Sequence, residues 1–292
     1  MAGFRQKLAR RQEKIGSLLC VGLDPVWEKI PRSVKRACSS PKDAVLLWAM
    51  GIVDAVVFDT CLFKPQHAHW EAIPGGIEVL RTLVAYIHSN YPTIPVFVDC
   101  KRGDIEDTQA QYGVAHLKGE RFDGMNINGY MGLATVEPLA RRYPGRAIVG
   151  LGRTSNSSAW EIQDTPMADG RPFWEFMVKC QLAWFRQLGI TADAGLVMGA
   201  AYPDPKDPGR VYDAHLRRVR ELVDDELWLL IPGIGKQGGL ARATAEASFR
   251  GWGSIAINSS RAIIFASGKA DFAEAAVAVA RTTNDELMAG IK

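Results

Sequence analysis

Residues 96–108, VFVDCKRGDIEDT, place charged side chains directly after a short apolar run. Asp99 and Lys101 are two residues apart, so on an extended strand their side chains point to the same side. Asp104 follows shortly after them. A lysine between two carboxylates is held protonated, and the carboxylates are held ionised. This pattern predicts a proton donor held among fixed negative charges.

Other apolar runs also end in polar side chains, and this repetition argues against the alternative, a merely solvated turn. One run ends in Asp24, another in Lys64 within FKPQ, and later runs lead to Ser155 and Arg261. If the runs are parallel strands of a barrel, their carboxyl ends converge on one mouth. The polar endings therefore predict a single functional site at that mouth.

Eight short apolar runs are the predicted strands that position these residues. They cover residues 17–24, 61–66, 95–101, 122–128, 146–152, 194–200, 227–234 and 253–260. Helical patterns lie between most of them, and an alanine-rich helix is predicted after the last. Most runs are continuously apolar, as strands buried on both faces of a parallel sheet are. The predicted fold is an α/β (β/α)8 TIM barrel, with an open doubly wound sheet as the alternative.

The chain is predicted to form a single domain over residues 1–292, because no long linker interrupts it. A short amphipathic helix is expected before the first strand. Two long polar loops are expected at residues 153–172 and 202–210. Long loops in compact domains are uncommon and often act as lids.

Composition excludes several classes of protein. The net charge of +3, with no dense Lys/Arg stripe, argues against a nucleic-acid partner. The longest apolar run, residues 44–53, is too short to span a membrane and predicts a core helix. Five scattered cysteines without a C-x-x-C pair indicate reduced thiols and a cytoplasmic location. His67 and His69 are the one close histidine pair; packing is favoured there, and no metal site is predicted.

The segment PGIGKQGG, residues 232–239, contains a formal G-x-G-x-x-G pattern. A dinucleotide-binding fingerprint follows the first strand and has an acidic residue about 20 positions later. Here the pattern follows the seventh run, and Asn258 stands at that distance. A glycine-rich turn still offers backbone N–H groups to an anion, and barrels often bind phosphate after strands seven and eight. With Arg261 as a planar donor, these two ends predict a phosphate site.

The motif Asp-x-Lys-x-x-Asp-Ile-x-x-Thr, complete at residues 99–108, resembles the signature of the orotidine 5′-monophosphate decarboxylase family. The chain looks most like the longer bacterial subgroup, type 2, although Ser157 stands where that family has proline. The resemblance gives no role to MNINGYMG, residues 125–132. Further matching segments occur in the family's order over nearly the whole chain: VGLDP (21–25), FKPQ (63–66), TSN (154–156), PGIGKQGG (232–239) and NSSR (258–261).

The resemblance implies a cofactor-free reaction in pyrimidine biosynthesis, in which orotidine 5′-monophosphate loses CO2 and becomes UMP. Lys101 would protonate C6 of the pyrimidine. Asp99 would face the substrate carboxylate, and Lys64 and Asp104 would complete the charged catalytic network.

The resemblance also implies the substrate-binding residues. Asp24 and Lys64 would hold the ribose hydroxyls, and Ser155 would contact the pyrimidine edge. Gln237 and Arg261 would hold the 5′-phosphate. Asp104, Ile105 and Thr108 would reach into the site of a neighbouring subunit, which implies a homodimer with shared sites.

Two other functions stay open from the sequence. A Mg²⁺-dependent 3-keto-sugar-phosphate decarboxylase or hexulose-phosphate synthase would share the barrel and the Asp-x-Lys-x-x-Asp core. The complete motif with Ile105 and Thr108 argues against that enzyme. A non-catalytic nucleotide-binding barrel is the second alternative. The retained polar residues at the strand ends argue against it.

Overall fold

The computed structural model describes residues 2–204, 207–235 and 239–292. Each of the eight strands of its main sheet lies inside one of the eight predicted runs, except that β3 ends one residue beyond its run. The other two strands, β7 and β8, pair antiparallel as a hairpin that ends at Tyr212, where the sequence predicted a polar loop at residues 202–210. The strands are β1 (Leu19–Gly22), β2 (Leu62–Lys64), β3 (Phe97–Arg102), β4 (Gly124–Ile127), β5 (Ala147–Leu151), β6 (Gly195–Val197), β7 (Tyr202–Asp204), β8 (Asp207–Tyr212), β9 (Trp228–Pro232) and β10 (Ile255–Ser259).

The main sheet closes on itself. Its strands are hydrogen-bonded in the order β2-β1-β10-β9-β6-β5-β4-β3, and the paired strands run parallel. Between the end strands β2 and β3, two isolated parallel bridges join Phe63 to Val96 and Gln66 to Asp99. We call this junction the β2–β3 seam. The closed parallel sheet confirms the predicted (β/α)8 barrel and excludes the open doubly wound sheet.

Helices surround the barrel. Residues 44–53 lie in the core helix α3 as predicted, where Ser40 caps the amino end by accepting a hydrogen bond from Asp43 N. No helix in the described ranges is long and apolar enough to cross a membrane. The helices are α1 (Phe4–Ile15), α2 (Arg32–Ala37), α3 (Pro41–Val56), α4 (His67–Glu71), α5 (Gly76–Asn90), α6 (Glu106–Gly113), α7 (Glu137–Arg142), α8 (Phe173–Gln187), α9 (Ala214–Val223), α10 (Ala241–Ser248), α11 (Arg261–Ile264) and α12 (Phe272–Ala289), with a π-helical turn at Val114–Gly119.

The amino-terminal end of the barrel is filled by apolar side chains. Phe4, on α1, stacks on Trp228 with ring centroids 5.1 Å apart and meets the edge of Phe97 at 6.2 Å. All three side chains are buried. Since α1 covers this end, the cavity of the barrel opens at the opposite end, where the strands finish.

Candidate active site

A cavity of about 400 Å³ lies at the carboxyl ends of the strands. Its walls come from loops and strand ends that are far apart in the sequence, as expected for the mouth of a barrel. Six of the predicted site residues line this one cavity: Asp24, Lys64, Asp99, Lys101, Ser155 and Arg261.

Asp99 lies between two lysines. Lys64 Nζ is 3.0 Å from Asp99 Oδ2, and Lys101 Nζ is 2.5 Å from Asp99 Oδ1. Lys64 and Asp99 are buried, whereas the side chain of Lys101 is 42% exposed. Both lysines line the cavity, but the ammonium group of Lys64 is buried, whereas that of Lys101 is open to solvent.

The charges of this group sustain one another. Burial alone raises the pKa of Asp99, but Lys64 and Lys101 outweigh it and hold the pKa well below its usual range. Burial lowers the pKa of Lys64, but Asp99 and Asp24 outweigh it and raise the pKa above its usual value. The pair is therefore ionised throughout the neutral range.

Asn126 is the site residue that sequence reasoning missed. It lies on β4, is buried, and its Nδ2 donates a 2.7 Å hydrogen bond to Asp99 Oδ1. No motif gives a role to the segment 125–132. A polar amide inside an apolar strand could still have indicated this residue, because buried polar groups need hydrogen-bond partners.

Asp24 connects two strand ends at the mouth. Its Oδ1 accepts a 3.0 Å hydrogen bond from Gln66 N, just beyond β2. Its charge also raises the pKa of Lys64. Asp24 and Lys64 thus form one polar wall. His69 also lines the cavity, and its Nδ1 lies 3.2 Å from Pro25 O.

The predicted phosphate site is built by the turn after β9 and by the start of α11. Gly233 and Gly235 have φ values of 112° and 78°, which strongly favour glycine. Gly233 and Ile234 line the cavity together with Ser260 and Arg261. Gln237, predicted to hold the same phosphate, lies outside the described residues.

The loop that carries Ser155 is anchored at its base. Arg153 makes a bidentate ion pair with Asp164, with both N–O distances at 2.8 Å. Thr154 N donates to Gln163 Oε1, also at 2.8 Å. Ser155 itself is exposed at the cavity rim. Two fixed contacts therefore hold the loop while Ser155 stays accessible.

Asp104, Ile105 and Thr108 do not line the cavity of their own protomer within the described part of the chain. They follow β3, where Asp104 is partly buried and the other two side chains are exposed. The sequence motif thus separates into two groups. Asp99 and Lys101 line the cavity, whereas Asp104, Ile105 and Thr108 lie outside it.

A second polar group lies beside the site, and we call it the His–Glu network: the buried His67, His116 and Glu120, the partly buried Arg102 and the exposed Glu71. Glu120 Oε1 is 3.1 Å from His67 Nε2, and its Oε2 is 2.7 Å from His116 Nδ1. Arg102 Nε donates to His116 Nε2 at 3.1 Å, so His116 carries its own proton on Nδ1. A guanidinium bound to this imidazole disfavours a metal cation, although the donor atoms of the two histidines and Glu120 lie within 4.8 Å.

Fold and cavity together are typical of a (β/α)8-barrel enzyme that handles a small anionic substrate at its strand ends. The family described as "Orotidine 5'-phosphate decarboxylase / HUMPS family" matches residues 17–276, and the chain belongs to this family.

Curated relatives match over nearly the full length. An orotidine 5'-phosphate decarboxylase of Variovorax paradoxus is 39% identical over 290 residues, covering 98% of each chain. One of Ralstonia nicotianae is 37% identical over 286 residues, covering 97% of each. Among solved structures, the Leishmania donovani OMP decarboxylase aligns with a TM-score of 0.75 at 28% identity, covering 98% of this chain and 99% of that one.

Proposed function

We propose that this protein decarboxylates orotidine 5′-monophosphate to UMP and CO2, a reaction of pyrimidine biosynthesis. The observation that carries this proposal is the arrangement of Lys64, Asp99 and Lys101 at the mouth of the barrel. The family membership and the names of the curated relatives support the same substrate. We also assign the chain to the longer bacterial subgroup, acting as one domain over residues 1–292.

Lys101 is the proposed proton donor. When the bond from C6 to the carboxylate breaks, CO2 leaves and the electron pair stays on C6. A preformed ammonium group stabilises the charge that develops there. Lys101 Nζ then transfers its proton to C6, and the half-exposed side chain regains a proton from solvent.

Asp99 is proposed to face the substrate carboxylate. Two lysines hold Asp99 ionised, so a second carboxylate placed beside it experiences like-charge repulsion. Departure of CO2 relieves this repulsion. Lys64 keeps the aspartate fixed from the far side, and so Lys101 can remain directed at the reacting carbon.

The remaining cavity residues are proposed to bind the nucleotide. Arg261 and Gln237 hold the 5′-phosphate, supported by the cavity position of Arg261 beside the Gly233 turn. Asp24 and Lys64 hold the ribose hydroxyls, and Ser155 contacts the pyrimidine edge. Binding energy from the distant phosphate can then order the charged site around the base.

We propose that the enzyme is a homodimer with shared sites. Ile105 is 44% exposed, and Tyr130, in the adjacent loop after β4, is 82% exposed. The two loops begin side by side, because Asn128 N donates a 2.8 Å hydrogen bond to the carbonyl oxygen of Arg102, the last residue of β3. Apolar surface beside Asp104 and Thr108 is suited to a second copy that receives these residues in its cavity.

A cytoplasmic location is proposed because the cysteine thiols form no disulfides. Cys20, Cys38, Cys61, Cys100 and Cys180 are all free. Free thiols persist in a reducing compartment, where disulfides are rare.

The test is the loss of orotate-ring absorbance when purified protein is mixed with orotidine 5′-monophosphate in EDTA. Rapid decay with formation of UMP is the expected result, and it would exclude a required divalent metal. No decay with folded protein would overturn the proposal. Turnover of a 3-keto-sugar phosphate that needs Mg²⁺ would favour the related enzyme, and tight UMP binding without turnover would favour a binding protein.

A further inference from the structure

The pairing between β3 and β4 is interrupted where β3 carries the charged residues. Val98 lies opposite Met125 and Arg102 lies opposite Ile127. Between these two pairs β4 contributes only Asn126, whereas β3 contributes the stretch from Asp99 to Lys101. An irregularity of this kind leaves backbone N–H groups without partners in the ladder.

The side chain of Asn126 supplies the missing partners. Its Oδ1 accepts hydrogen bonds from Cys100 N at 2.8 Å and from Lys101 N at 2.7 Å. Its Nδ2 donates to Asp99 Oδ1 at 2.7 Å. Asn126 is only 1% exposed, so water cannot readily replace these bonds. One amide thus fixes the backbone of the lysine and the carboxylate of the aspartate.

The backbone of Lys101 needs such support. Its φ of 46° lies in the left-handed region, which is unfavourable for a residue with a Cβ atom. Unfavourable backbone conformations persist where the surroundings enforce them. Without the acceptor on Asn126, the Lys101 N–H would be unpaired, and relaxation of the backbone would move its ammonium group.

We infer that Asn126 is a positioning residue that holds Lys101 and Asp99 in their reactive arrangement. The inference rests on the proposed decarboxylation. It gives a role to the 125–132 segment that no sequence motif provides. Asn126 does not need to touch the substrate, since it acts through its contacts with Lys101 and Asp99.

The first test is Asn126→Ala, measured as kcat, KM and UMP affinity. A misplaced ammonium group should lower kcat by about a hundredfold. UMP binding should change by less than about twofold, because phosphate and ribose contacts lie elsewhere in the cavity. An unchanged kcat in the variant, with an active wild-type enzyme, would overturn the inference. An inactive wild-type enzyme would instead refute the proposed function.

The second test is Asn126→Asp. Aspartate has the same shape as asparagine, so this variant keeps the inference testable if Asn126→Ala fails to fold. The introduced carboxylate keeps the acceptor for Lys101 N but repels Asp99. The titratable side chains around it are those of Asp99, Lys64 and Lys101. The Cys100 thiol also contacts the backbone carbonyl oxygen of residue 126.

Like-charge repulsion raises the pKa of the introduced carboxyl group, and its protonated form again donates to Asp99. The kcat of Asn126→Asp should therefore rise as the pH is lowered from about 8 to about 5.5, relative to wild type. A merely structural role would not produce this acid recovery. A pH profile parallel to that of wild type would contradict the positioning role.

Asn284→Ala is the matched control. Asn284 is also a buried asparagine that bridges backbone groups, through Leu18 N and Gly16 O, but it lies at the amino-terminal end of the barrel. Its loss should lower the melting temperature and leave the kcat of folded protein unchanged. Equal losses of kcat in the Asn284 and Asn126 variants would show a general effect of destabilisation and overturn the inference.

Discussion

Lys64 Nζ contacts Asp99 Oδ2 at 3.0 Å, on the carboxylate oxygen that Lys101 leaves free. The two residues stand on β2 and β3, so this buried ion pair crosses the β2–β3 seam. Lys64 therefore has two effects that can be measured separately. It fixes the charge of Asp99, and it joins the two strands of the barrel that share the fewest backbone bridges.

Replacing Lys64 with methionine should impair both effects. Asp99 would be left buried with one fewer cation, so its pKa should rise. As the pH is lowered, kcat of the variant should therefore begin to fall at a higher pH than kcat of the wild type. Removing one partner of a buried pair should lower the free energy of unfolding by about 3 kcal/mol. Urea unfolding and a kcat–pH profile measure these effects. Lys42→Met, in an exposed pair with Glu78, should change neither; equal behaviour of the two variants would contradict the prediction.

Lys101→Ala should abolish turnover while UMP binding stays measurable. Loss of the general acid should lower kcat by at least about a thousandfold. Single-turnover assays and calorimetric titration with UMP separate the two quantities. Lys118→Ala, at an exposed position on the π-helical turn, is the control. Substantial residual turnover in Lys101→Ala would rule out its role as proton donor.

Arg261→Ala should chiefly weaken phosphate binding. Loss of a hydrogen bond to a charged group costs about 2 kcal/mol, which corresponds to an increase in KM of roughly thirtyfold. Steady-state kinetics measure the change, with Arg242→Ala on the exposed side of α10 as the control. An unchanged KM would argue against the phosphate site at α11.

Shared sites can be tested by mixing two inactive variants. Lys101→Ala and Asp104→Ala each disable both sites of their own homodimer, if Asp104 completes the neighbour's cavity. After subunit exchange, a heterodimer contains one site with both native residues. An equimolar mixture should recover about a quarter of the wild-type activity. No recovery, with heterodimers detected by native mass spectrometry, would place Asp104 in its own protomer's site.

Acid should weaken the His–Glu network. Burial raises the pKa of Glu120, but hydrogen bonds from His116 and His67 outweigh it and lower the pKa from 4.5 to about 2. As the pH falls, Glu120 is therefore protonated in the unfolded chain before it is protonated in the folded protein. Its contribution to stability is present above pH about 4.5 and is lost as the pH falls towards 2.

Glu120→Gln should consequently lower the free energy of unfolding by about 2 kcal/mol at neutral pH and by less at about pH 3. Urea unfolding at both pH values provides the measurement. Glu78→Gln, at an exposed site, serves as the control. A difference between wild type and Glu120→Gln that does not shrink with acid would contradict the assigned hydrogen bonds.

The barrel could be predicted from sequence because strands buried on both faces are apolar throughout their length. The positions of Asp24, Lys64 and Asp99 at one mouth then follow from parallel geometry. The roles of Asp104, Ile105 and Thr108 could not be obtained in this way. A motif shows that residues are close along the chain, but it does not show which side of a loop faces another subunit.

The function of Asn126 was hidden for a different reason. Its contacts depend on the register between β3 and β4, and a shift there cannot be read from alternation of apolar and polar residues. The hairpin of β7 and β8 was also missed, since its strands are short, polar and rich in proline. Both features arise from pairing between segments rather than from the composition of either segment.

The β2–β3 seam has an evolutionary consequence. Lys64 and Asp99 close the barrel with the same atoms that the reaction is proposed to use. Selection for catalysis therefore also preserves the junction between the end strands β2 and β3. A lineage that lost the activity would be released from that constraint at both residues together. In such a lineage, paired replacement of Lys64 and Asp99 by apolar side chains would keep the barrel closed, because well-packed apolar residues can substitute for a buried ion pair.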